Sequence, residues 1–145
     1  MKKNKIAFTI NTLDQAERII KEAKVYQIIP ILHFKNYILI GFGSDFLVTF
    51  RNMLISKFGR LSFKFFVDCG SDYGLSINMI SIKINYIKLR GNSMILKKIT
   101  NIANKNKVLL NPSFNIVDCR NRKKINLKFK KLYFKEKNEN WWKSN

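Results

Sequence analysis

The sequence predicts an α/β fold: a three-layer, Rossmann-like domain on a mostly parallel sheet of four or five strands, with a basic C-terminal extension. Three observations predict it. Short apolar runs rich in Ile, Phe and Val alternate at least three times with segments whose apolar residues recur at helical spacing. The links between them are short and carry Gly, Ser and Asn. The runs are continuously apolar more than alternating, the pattern of strands covered on both faces of a parallel sheet. A chain of 145 residues needs only one such core.

The run at 5–10 is either a brief strand or a lead-in. The first helix is marked by Thr12 three residues before Gln15, the spacing at which a side-chain oxygen caps the first turn and the Gln amide reaches back. Leu13, Ala16, Ile19, Ile20 and Ala23 then share one face. Asp14 and Glu17 sit near the positive end of the helix dipole, and Lys21 and Lys24 near the negative end. Residues 28–34 and 37–40 read as strands. GFGSD at 41–45 turns into a helix carrying Phe46, Phe50, Met53, Leu54 and Phe58 on one face and stopping at Gly59.

Residues 62–67 form the next strand, and VDCGSDYG at 67–74 is its exit. Over 75–84, Leu75, Ile77 and Met79 alternate like a strand, while Leu75, Met79 and Ile82 share a helical face. The cap-like pair Ser71–Asp72 and the flanking glycines select helix. A short strand at 86–89, a turn at Gly91–Asn92–Ser93 and a helix at 94–105 follow, with Ile95, Ile99, Ile102 and Ala103 inward. The strand at 108–110 is the last, stopped by Asn111–Pro112.

Right-handed crossovers place strand-to-helix turns along one edge of a parallel sheet, where open α/β sheets bind ligands. GFGSD, CGSDYG, GNS and NPS then open onto a common crevice, with Gly43, Ser44, Asp68, Cys69, Ser71, Asp72 and Asn92 as candidate ligand-binding residues. A helix amino terminus after Cys69 would lower its thiol pKa, whereas Asp68 and Asp72 would raise it, and a half-buried structural cysteine fits the same residues. Asp68 and Asp72 are explained equally by a strand-end hydrogen bond and a cap. GFGSD falls short of the dinucleotide fingerprint because Phe46 stands where the third small residue would let the backbone approach a pyrophosphate. His33, beside Phe34, reads as a packed or surface histidine. Two cysteines and one histidine cannot supply a four-ligand zinc cluster within one chain. No catalytic residue, metal or cofactor is assigned.

The charge is unbalanced: 28 Lys and Arg face 9 Asp and Glu, for a formal net charge of +19. Such a surface attracts RNA, anionic lipid and acidic proteins alike. An AT-rich genome, which crowds a chain with Lys, Asn, Ile and Phe, is a competing source of the excess. The charge is dense after Cys119, so residues 1–119 read as the domain and 120–145 as a basic, aromatic extension. There Ile125, Leu127 and Phe129 alternate with polar residues, as in an extended segment with one apolar and one basic face. Arg120, Arg122, Lys123, Lys124, Lys128, Lys130 and Lys131 supply phosphate-directed charge, and Phe129, Tyr133, Trp141 and Trp142 supply rings that can stack on unpaired bases.

The first functional expectation is a non-enzymatic binding or scaffold protein contacting RNA or another polyanion through this extension. One alternative is a small-ligand module or enzyme using the crevice around Asp68–Cys69–Gly70. Another is attachment to an anionic membrane surface. The basic start is followed by an apolar run too short for a secretory signal, and no run approaches the ~18 residues of a membrane span. Free thiols in a reducing, cytoplasmic compartment are therefore expected.

Between VDC at 67–69 and VDC at 117–119 the chain resembles a group of small alphaproteobacterial proteins without known activity. Their pattern is a strand ending in Asp-Cys-Gly-Asp, a Gly-Leu-rich helix, a short strand, a second helix and a closing Pro-x-Leu-Asp-Leu stretch. Asp68, Cys69, Gly70, Asp72, Gly74 and Leu75 match the opening, and Pro112 with Ile116, Val117 and Asp118 loosely matches the close. Ser71 intrudes before Asp72. The resemblance covers the last two thirds of the chain short of the tail, implies a helix at 75–84, and implies no activity.

Overall fold

A computed structural model describes residues 5–121 and 123–134. Strand β1 (Ile6–Thr9) leads to helix α1 (Leu13–Val25), and β2 (Ile31–Phe34) to the bent pair α2 (Asn36–Phe42) and α3 (Ser44–Phe58). Strand β3 (Lys64–Asp68) leads to α4 (Tyr73–Ser81), and β4 (Tyr86–Lys88) to α5 (Ser93–Lys105). Two strands then follow without a helix between them, β5 (Leu109–Leu110) and β6 (Asn115–Asp118), and the described chain closes with α6 (Ile125–Phe129) and a π turn over Lys130–Phe134.

All six strands are parallel, in the order β5-β4-β3-β2-β1-β6. The chain is thus an α/β protein on a parallel sheet, with six strands where four or five are expected. The extra strand is β6. Three of its four residues, Asn115, Ile116 and Asp118, are exposed and only Val117 is partly covered, so it lacks the apolar run that reveals the other strands.

The winding explains a second difference. From β1 to β5 each step moves one place in the same direction, so right-handed crossovers carry every connecting helix over the same face. One large core joins strand residues Phe8, Leu32, Phe34, Phe65, Val67 and Ile87 to residues of all six helices, among them Ile19, Leu39, Leu54, Met79, Ile99 and Phe129. On the other face Ala7, Ile31 and Phe66 form a small separate cluster against Tyr86 and Phe114, with the His33 ring beside Phe66. Helices on both faces, as in a three-layer Rossmann arrangement, are therefore not what the described residues form.

That second face is concave. Only four residues, Asn111 to Phe114, join β5 to β6 at opposite ends of the strand order. Five Cα steps reach at most about 18 Å, whereas six strands laid flat would set the outer two about 24 Å apart. The sheet must curl toward an open barrel. The link also descends the length of a strand, because Asn115 starts β6 level with Ile6, and this lays Phe114 edge-on against Phe66 and Tyr86 inside the curl.

Several local expectations are met. Thr12 and Gln15 form the reciprocal capping box of α1, Asp72 caps α4, and 75–84 is helical as far as Ser81. Others are corrected. Residues 37–40 are helical, within α2, with neighbours Ile38 and Leu39 both buried while Ile40 is 78% exposed; a strand would have separated neighbours to opposite faces. Met53 and Ile102 face solvent. Residues 125–129 are a helical turn and not an extended segment. Ile125 and Phe129, four apart, both enter the core while Leu127 stays out, and a spacing of four satisfies a helix as well as it does alternation. Phe129 stacks on Phe8 at 4.8 Å and adjoins Tyr26 and Tyr133.

Candidate functional site

In a parallel strand alternate residues share a face, so the register sets the inner wall residue by residue. Thr9 lies level with His33 and His33 with Phe66, while Asp68 lies level with Lys88 one step nearer the carboxyl ends. Beside them, and the connections that follow the strands, opens a concavity of about 360 Å³ lined by His33, Phe66, Lys88, Arg90, Asn111 and Phe114, among others. Its floor is aromatic and its rim cationic.

His33 is 5% exposed. Its Nδ1 lies 2.7 Å from Thr9 Oγ1. No buried side-chain nitrogen or oxygen among the described residues is without a partner, and Nδ1 is the ring nitrogen that Thr9 holds, so Nε2 is the one left open toward the concavity. Burial pushes the His33 pKa down to about 4 and the cations Lys88, Lys35 and Arg120 push the same way, against the pull of Asp68. The imidazole is neutral at neutral pH and can donate or accept at Nε2 according to its tautomer.

The cations of the rim differ in availability. Arg120 donates to both carboxylate oxygens of Asp118, at 2.9 and 2.7 Å, and to the Tyr37 hydroxyl at 3.2 Å. Tyr37 in turn donates to Asn11 Oδ1, and Gln15 Nε2 donates to the Arg120 carbonyl at 2.6 Å. The hydrogen bonds from Arg120 hold the Asp118 carboxyl down at about 2. Lys35, Lys88 and Arg90 make no ion pair among the described residues.

The β3 exit is a locked turn. Gly70 takes φ 59°, where a side chain is strained, and a Cβ added there would meet the Asn36 side chain at 3.4 Å. Gly70 N–H donates to Asp68 Oδ1 at 2.8 Å, Asn36 Nδ2 donates to the Asp68 carbonyl at 3.1 Å, and Arg90 N–H donates to the Gly70 carbonyl at 2.7 Å. This last bond ties the Arg90 backbone to the rim.

The residues singled out in the sequence divide. Asp68 reaches the inner face. Cys69 points the other way, fully buried in the helix-side core, with its pKa pushed up to about 12 by burial, then by Asp68 and Asp72. Asp72 and Asn92 spend their side chains as caps, and Ser71 is exposed beside them. Gly43 and Ser44 form the α2–α3 corner, where Ser44 Oγ accepts from Asn78 of α4 at 3.2 Å; they belong to the helical layer and follow no strand. In the tail, Lys123, Lys124, Lys128 and Lys131 line a separate groove of about 430 Å³ with Asn121 and Leu127. Lys130 is exposed, Phe129 is buried, and Tyr133 packs on Tyr26 at 5.8 Å. Arg122, Trp141 and Trp142 lie outside the described residues.

Thr9, Lys88 and Arg90 escape a sequence reading organised by glycine turns, and His33, read there as packed or surface, is drawn into the mouth together with Asn111 of the NPS turn. The usable signal is the last inward position of each strand, which needs strand ends and pairing at once. Asn111, with φ 52°, brackets Leu89 through two side-chain hydrogen bonds of 2.8 and 3.0 Å and so shapes the rim. Among the described residues no three His, Cys, Asp or Glu side chains gather to hold a metal ion, and no single helix is long and apolar enough to cross a membrane.

No protein-family model matches the sequence, and no curated protein does. Among solved structures, a protein from Coccidioides immitis provisionally named a fructose-1,6-biphosphate aldolase is similar, with a TM-score of 0.59 at 10% identity over 74% of this chain and 44% of that one. The chain spans less than half the length of that relative, and at this identity the likeness shows the fold alone.

Proposed function

We propose that the protein binds a small organic anion, a phosphate or carboxylate ester or acid, in the concavity at the carboxyl ends of its strands. Lys88 and Arg90 would meet the anionic group, with Lys35 adding field from the rim and His33 Nε2 offering a neutral hydrogen bond deeper in. One observation carries this reading: two cations, Lys88 and Arg90, without carboxylate partners among the described residues, line a hollow whose floor is aromatic, at the edge where parallel α/β sheets take ligands. Calorimetric titration with 3-phosphoglycerate, inorganic phosphate and uncharged glycerol tests it. Binding of the anions, weakened about tenfold or more by Arg90→Ala, is expected. Anion binding indifferent to both Lys88→Ala and Arg90→Ala would refute it.

A second reading, contact with RNA or another polyanion through the C-terminal residues, is favoured by the groove of four lysines at Lys123, Lys124, Lys128 and Lys131. It would act through phosphates, because the rings of Phe129 and Tyr133 are occupied inside the protein. RNA titration at two salt concentrations against Lys123→Glu/Lys128→Glu is the test, with a weaker affinity and a shallower salt slope expected of the variant.

A further inference from the structure

The aspartates are sorted along the strand direction. All five aspartates sit at the carboxyl end: Asp14 and Asp45 in first turns of α1 and α3, Asp72 as the α4 cap, and Asp68 and Asp118 as last strand residues. The other described acids, Glu17 and Glu22, lie along α1, and Glu17 is paired with Lys57 at 3.0 Å. Cations stand at both ends, with Lys35, Lys88, Arg90 and Arg120 at the carboxyl end, but at the amino end no aspartate stands among them. Lys24, Lys57 and Lys105 occupy last helical turns, where the helix dipole favours them. Arg60, Lys83 and Lys107 stand two residues past helix ends, within reach of the same dipole, whereas Lys5 and Lys64, beside strand starts, lie beyond it. Codon usage, which has no direction in space, does not explain why the aspartates keep to the other end.

Two aliphatic side chains stand on the same end. Leu61 is 84% exposed beside Arg60, and Val25 is 74% exposed beside Lys24. Arg51, half sunk nearby, is held by the Ile82 carbonyl at 2.8 Å and feels the charge of Arg60. Cations around protruding aliphatics suit a surface that offers negative headgroups over hydrocarbon. A nucleic acid would use the charge but leave Leu61 and Val25 against phosphates, and base stacking would want exposed rings.

We propose that the amino-end face docks on an anionic lipid bilayer, with Leu61 and Val25 entering the interface and the link lysines over the headgroups. The anion-binding mouth then faces away from the membrane. The inference does not depend on that mouth.

Co-sedimentation of the full chain with vesicles of phosphatidylcholine, with and without phosphatidylglycerol, tests it. Binding to the anionic vesicles alone is expected. Lys83→Glu/Lys107→Glu should lower that binding about tenfold or more, given roughly 1 kcal/mol per cation near such a surface. Leu61→Ser/Val25→Ser should lower it several-fold at moderate salt, and Lys97→Glu/Lys98→Glu, the same charge change on the flank of α5, should lower it far less. Melting temperatures confirm that each variant is folded. The proposal is overturned by no binding to anionic vesicles, or by equal losses in the flank variant. It is also overturned if single-stranded RNA loses binding with Lys83→Glu/Lys107→Glu while Leu61→Ser/Val25→Ser changes nothing in either assay.

Discussion

Thr9 Oγ1 and His33 Nδ1 are 2.7 Å apart, a hydrogen bond between two buried side chains on neighbouring parallel strands. It fixes the imidazole so that one nitrogen is spent within the sheet and the other faces the concavity.

His33 makes stability depend on pH. Folded, it takes up a proton only near pH 4; unfolded, near 6.5. Between these values the unfolded chain holds more protons, so the contribution is complete above about pH 6.5 and is lost as pH falls toward 4, by up to about 3 kcal/mol. Urea unfolding near pH 7 and near pH 4.5 should show this loss in the wild type and a smaller one in His33→Gln. Equal losses in both proteins would mean that the imidazole is not held neutral.

Both cysteines are fully buried, and Cys69 has its thiol pKa pushed up to about 12 by burial, then by Asp68 and Asp72. Iodoacetamide near pH 8 should label neither residue in the folded protein and both in urea. Fast native labelling of Cys69 would restore the nucleophile that the loop sequence allows.

Phe129 closes the core over Phe8 at 4.8 Å. Phe129→Ala should cost about 3–5 kcal/mol, measured by denaturant unfolding, and removal of everything after Cys119 should cost at least as much. A change below about 1 kcal/mol would show that α6 is not part of the folded unit.

Three helix-to-strand links repeat one geometry. Gln27, Lys83 and Lys107, each two residues past a helix, adopt φ of 56°, 59° and 59°, and the next residue donates to the carbonyl five back, as in Ile28 to Ala23, Ile84 to Met79 and Val108 to Ala103. A residue with a Cβ is strained there. Lys83→Gly and Lys107→Gly should each raise stability by about 0.5–1 kcal/mol; a loss of that size in thermal unfolding would mean that the lysine side chains make compensating contacts.

What the sequence reveals follows from how local the cause is. The capping box of Thr12 and Gln15, the cap at Asp72 and the strand read at 62–67 and found at 64–68 are set by neighbours in the chain, and all are legible. Residues 37–40 fail because Tyr, Ile and Leu suit either backbone, and their helix follows from Ile38 and Leu39 sharing one core. β6 is hidden because an edge strand needs few apolar residues. The candidate mouth is the least local feature: Thr9, His33, Lys88 and Arg90 lie up to 81 positions apart, and only the strand order and the curl forced by the four-residue link bring them together.

The most direct test of anion binding at the mouth is a titration of isotopically labelled protein with 3-phosphoglycerate, followed by NMR. The account predicts saturable shifts concentrated at His33, Lys88 and Arg90, with the His33 ring nitrogens keeping the pattern of a neutral imidazole at neutral pH and the shifts vanishing in Lys88→Ala/Arg90→Ala. Shifts centred instead on Lys123, Lys124, Lys128 and Lys131, or none at all, would contradict it.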